Sequence, residues 1–173
     1  MSVISATGES LITDPSLANV TKTLLALHVI AAILAIGPVA VAASMFPAAM
    51  RAADAARIGL LHRICRVYAV VGAAVPVFGF ATASSLHVLG TPWLLASIGL
   101  TAVAALVLGA VILPAQNRAL LVVGWGGNAE AGRAPSFDRT SIARLAMCTG
   151  LFNLLWATVT VLMILRPGST TGV

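Results

Sequence analysis

In 173 residues this chain carries 60% hydrophobic and only 9% charged side chains, with a mean hydropathy of +1.03. Soluble domains carry about 25% charged residues, so an ordinary soluble domain is excluded. Ten Lys and Arg against five Asp and Glu give a net charge of +5, but no basic cluster is interleaved with aromatics as a nucleic-acid surface requires, so no nucleic-acid partner is expected.

Taken in chain order, residues 1–23 read as an outer N-terminal segment that contains a helix start. Residues 1–13 are small and polar. Asp14-Pro15-Ser16 then supplies an N-cap acid and a proline for the first helical position. Glu9, Asp14 and Pro15 stand where a signal peptide would have an apolar core, so no cleaved leader is expected. Neither end carries a lipidation signature.

Residues 24–166 read as one membrane domain with four spans, about 24–46, 67–85, 93–113 and 145–165. Each is long enough for the roughly 20 residues that cross a bilayer. Gly37-Pro38 predicts a kink in the first span and Pro76 a kink in the second, because proline removes a backbone donor and crowds the preceding turn. Residues 51–66 favour helix and lead directly into the second span. Thr91-Pro92 reads as a second N-cap followed by proline, with Trp93 at the interface. Pro114 closes the third span, residues 119–125 lie along the inner surface, and Gly124, Gly126, Gly127, Asn128 and Gly132 make a loop. Asp138 reads as the N-cap of the fourth helix, and Arg166-Pro167-Gly168 ends it, leaving residues 167–173 as an outer tail.

The arginines orient the chain. Arg51, Arg57, Arg63 and Arg66 lie between the first two spans, and Arg118, Arg133, Arg139 and Arg144 between the last two. Only Lys22 and Arg166 lie elsewhere. The positive-inside rule assigns the arginine loops to the cytoplasm and both termini to the outside. The fold expected is therefore an all-α, four-transmembrane-helix bundle, multi-pass, with the lipid bilayer as its first partner. Phe46-Pro47-Ala48-Ala49-Met50-Arg51 echoes Leu113-Pro114-Ala115-Gln116-Asn117-Arg118, which suggests a two-hairpin internal repeat. The simpler reading is that proline and arginine are common at the inner ends of spans. Cys65 and Cys148 fall at the reducing face, read as buried hydrophobes, and are not expected to pair.

Ionisable side chains within a span are costly and functional or paired, and His28 is the one that qualifies. By depth, Thr82, Ser84, Ser97 and Thr160 reach its level, a polar layer if they face inward, and His87 lies just above. Two histidines on adjacent helices ligate a haem iron or a copper ion; the plainer reading is that His28 bonds one hydroxyl and His87 is wet. Asn153 lies deeper in the fourth span and is expected to bond a neighbouring helix or its own copy in a partner chain. Gly72 and Gly79 are candidate sites of close packing or oligomerisation. No span holds an acid, and no GxSxG, HExxH, Walker or GxGxxG arrangement is present, so no catalytic residue is named.

Leu27-His28 followed by Ala31-Ala32 and Gly37, then Arg63, Arg66 and Val67, then Leu113-Pro114 with Arg118, resembles a group of bacterial four-span integral membrane proteins of unknown function. The group is distantly similar to the copper-resistance D-type membrane domain and to the haem-binding four-span protoporphyrinogen oxidase. A tryptophan often precedes the first glycine of that pattern, where this chain has Ile36. The expected role is a non-enzymatic accessory or interaction subunit with a membrane-protein partner or a second copy, and no cofactor. Two alternatives stand beside it. One is a small redox or metal-binding protein with haem b or a metal on His28 and His87. The other is a small transporter component, which the missing intramembrane acids weaken.

Overall fold

The computed structural model describes residues 15–86, 88–126 and 136–167. Among these there is no strand. The elements are α1 (Pro15–Arg51), α2 (Ala55–Gly72), α3 (Ala74–Ser85), α4 (Pro92–Leu106), a π-helical turn (Val107–Ile112), α5 (Leu113–Gly126) and α6 (Arg139–Leu165). They build four helices long and apolar enough to cross a membrane: Asn19–Arg51, Ala55–Ser85, Pro92–Gly124 and Arg139–Leu165. The chain is an all-helical, multi-pass membrane protein.

The helices outrun the apolar stretches. The first covers 33 residues, about 50 Å at 1.5 Å per residue, against roughly 30 Å of hydrocarbon. Pro47 does not end α1, which continues through Pro38 and Pro47 to Arg51. Pro114 does not end the third helix either. The widened turn ahead of it closes with the Leu113 amide donating to the Leu108 carbonyl, five residues back. That geometry loosens the turn that the proline ring would otherwise strike, and the helix runs on to Gly126. Residues 119–125, expected along the inner surface, and Gly124 and Gly126, expected in the loop, are therefore helical. Gly127, Asn128 and Gly132 lie outside the described residues. In the second span the helix does give way: α2 ends at Gly72, four residues before Pro76, where the missing amide leaves a carbonyl without its partner.

The joints are local chemistry. Asp54 caps α2, accepting from the Arg57 amide at 3.0 Å, and Asp138 caps α6, accepting from the Ser141 amide at 3.3 Å. Thr91 holds the N-cap position of α4 with Pro92 at N1, but its hydroxyl turns back to the Val88 carbonyl at 2.7 Å rather than capping. Between α1 and α2 the Ala53 amide donates to Met50 and the Asp54 amide to Ala49, with Ala53 left-handed at φ 49. This is a Schellman closure with alanine where glycine is usual.

α1 packs against α2 and α3, α4 and the π turn pack against α6, and α1–α6 and α2–α5 contacts close the bundle. Its main core gathers Val39, Phe46, Ile58, Leu61, Leu108, Ile112 and Phe152 towards the arginine-bearing end. A much smaller cluster of Ala83, Trp93 and Leu94 sits at the opposite end, where Arg166 lies 5.9 Å over the Trp93 ring.

Candidate functional site

The polar side chains within the spans fall into three places. At the thinly packed end, His28 of α1 lies against α3. Its Nδ1 is 2.9 Å from the Val75 carbonyl. A carbonyl can only accept, so Nδ1 carries the hydrogen and donates it. In the neutral ring that leaves the lone pair on Nε2. The ring lies over Gly79: a Cβ there would stand 3.0 Å from Cε1 and 3.3 Å from Nδ1. Gly79 is thus the hollow that lets α1 approach α3 with an imidazole between them. At Gly72 a Cβ would meet Ala35 and Ile36 only at 3.8 and 3.9 Å, ordinary contact.

The hydroxyls at this level do not assemble into a layer around His28. Thr82 donates to Phe78, Ser97 to Trp93 and Thr160 to Trp156, each to a carbonyl one turn back on its own helix. Thr82 and Ser97 are buried, whereas Ser84 and Thr160 are exposed. His87 lies outside the described residues.

Midway along α6, Asn153 Nδ2 donates to Ser44 Oγ of α1 at 3.1 Å. Thr149, Asn153 and Trp156 share one helical face at i, i+4 and i+7. Thr149 Oγ1, Asn153 Oδ1 and Trp156 Nε1 are all buried with no hydrogen-bond partner among the described residues.

The third place had no counterpart in the sequence reading. Gln116 of α5 is 0% exposed. Its Nε2 donates to Cys65 Sγ at 3.5 Å and its Oε1 accepts from His62 Nδ1 at 3.3 Å. The amide bridges α5 to two residues of α2 and fixes the orientation of His62. The signal available was an amide in Leu113-Pro114-Ala115-Gln116, but ending the span at Pro114 places Gln116 outside it. Cys65 is buried against this amide and Cys148 is half-buried; both are free thiols.

Among the described residues, no three His, Cys, Asp or Glu side chains converge as a metal centre would need. Comparison with family models, with curated proteins and with solved structures finds no match in any of the three.

Proposed function

We propose that this chain is a non-enzymatic accessory or interaction subunit of a bacterial cytoplasmic-membrane complex, threaded with both termini outside. The observation that carries the reading is the use made of the intramembrane polar groups. His28, Gln116 and Asn153 each bond a neighbouring helix, so they tie spans together rather than forming a nucleophile–base pair. The distribution of arginines supports the threading. A reporter enzyme that works only outside the membrane checks it: active when fused after Val173, inactive after Arg118. From Asn19 to Leu34 α1 is mostly exposed, which leaves lateral surface for a partner helix or a second copy.

One observation favours a redox alternative. The bond from Nδ1 to Val75 holds the His28 ring in the tautomer whose Nε2 can ligate a haem iron or a metal. A reduced-minus-oxidised visible spectrum of the protein purified in mild detergent separates the two. The accessory reading expects a flat spectrum and a partner, or a second copy, retained through size exclusion. Haem bands that vanish in His28→Ala would overturn it.

A further inference from the structure

One face of α2 carries two arginines that the helix ties do not use. Gly59, His62, Arg63, Arg66, Val67, Val70 and Val71 recur at i, i+3, i+4, i+7, i+8, i+11 and i+12, and together they line a groove of about 550 Å³. Its two ends differ in kind: the first holds two guanidinium groups and an imidazole, the second only valines. We propose that this groove seats an anionic phospholipid, with the phosphate held by Arg63 and Arg66 and an acyl chain laid along Val67, Val70 and Val71. The inference rests on the chain crossing a bilayer, and not on the accessory role.

Three observations support that occupant. First, the charge is unopposed. No acid lines the groove, and neither arginine has an ion-pair partner among the described residues. The carboxylate of Asp54, before Gly59 on the chain, is spent on the Arg57 amide. Second, the imidazole is positioned. His62 is held from behind by the fully buried Gln116, itself anchored on Cys65. With Nδ1 donating to that bond, Nε2 of the neutral ring is left towards the groove as an acceptor, suited to a headgroup hydroxyl and not to a phosphate oxygen. Third, the polarity runs with depth. From Arg63 to Val71 the helix climbs about 12 Å at 1.5 Å per residue, so guanidiniums at headgroup level place the valines beside acyl chain. Free phosphate would leave the valine floor unused, and a neutral lipid would leave the arginines unpaired. Basic pockets beside membrane helices are known to hold anionic headgroups, at roughly fivefold in affinity per arginine.

The test is native mass spectrometry of the full chain released from detergent with added phosphatidylglycerol or phosphatidylethanolamine. We expect selective retention of phosphatidylglycerol. The pair R63Q/R66Q should weaken it about 25-fold. The pair R118Q/R144Q removes the same charge away from the groove and should change it by less than about twofold. Val71→Trp fills the apolar floor and should also lower retention, with both arginines intact. Far-UV circular dichroism and the unfolding midpoint identify the variants that still fold. Equal losses in the two arginine pairs would overturn the proposal in favour of diffuse surface charge. Competition by inorganic phosphate as effective as by lipid, or no effect of Val71→Trp, would overturn it in favour of a free anion.

Discussion

Replacing Gly79 by alanine places a methyl group 3.0 Å from His28 Cε1. To restore ordinary contact the ring must retreat from α3 by about 0.4 Å, which stretches its 2.9 Å bond to Val75 towards the ~3.3 Å where such bonds weaken. Overpacking costs about 1–3 kcal/mol, and a weakened interhelical bond in lipid costs about 0.6 kcal/mol more. Against this, alanine is the better helix former by about 1 kcal/mol. Gly79→Ala should therefore destabilise by about 1–2 kcal/mol net. In a His28→Ala background the clash and the bond are both gone and only the helix preference remains, so the same substitution should stabilise by about 0.5–1 kcal/mol. The assay is a denaturing-detergent titration of wild type, both single variants and the double variant. The sign change gives a coupling of about 2 kcal/mol, well beyond the ~0.5 kcal/mol expected of independent sites. An equal cost of Gly79→Ala in both backgrounds would refute the contact. In the structure His28 and Gly79, which the sequence offered as marks of rival functions, are two halves of one contact.

Three other perturbations have definite outcomes. Ala53→Gly relieves the left-handed alanine of the α1–α2 turn and should raise the unfolding midpoint, by about 0.5–1 kcal/mol in stability; a fall would mean the Schellman closure is not the native turn. Gln116→Leu keeps the buried volume and loses only the bonds to His62 and Cys65, about 0.5–1.5 kcal/mol, whereas Gln116→Ala leaves a cavity and should cost about 2–4 kcal/mol by the same titration. Asp54→Ala and Asp138→Ala each remove a helix cap and should cost about 1 kcal/mol, measured as loss of stability with α-helical content unchanged at 25 °C.

What the sequence revealed and what it hid both trace to backbone hydrogen bonding. The four spans were legible because lipid demands long apolar helices and little else has that signature. Asp138 was legible as a cap because its carboxylate sits where the first amides of α6 are orphaned. Pro47 and Pro114 misled because a proline costs a helix one bond but need not end it. α1 carries Pro47 within its length, and the third helix absorbs Pro114 through the widened turn. The polar layer around His28 was misread because hydroxyls in a helix have a nearer acceptor, the carbonyl one turn back, than any side chain across the bundle. Gln116 stayed hidden as a consequence of Pro114. Its environment depends on helix continuing beyond that proline.

The widened turn at Val107–Ile112 also governs which way the rest of the third helix faces. Ala104, Leu108, Ile112, Gln116, Ala119 and Val123 are all buried. The first three steps between them are of four residues, and each overshoots a 3.6-residue turn by about 40°. Three such steps would carry Gln116 about 120° off the seam and out into lipid. The π turn holds one extra residue, about 100°, and cancels most of that drift. The segment is thus a heptad seam with a single insertion. Deleting Gly109, which has open space around it, would leave steps of 4, 3, 4, 3 and 4 and an unbroken α-helix with the same face inward. A one-residue deletion, ordinarily ruinous within a span, should be tolerated at this turn.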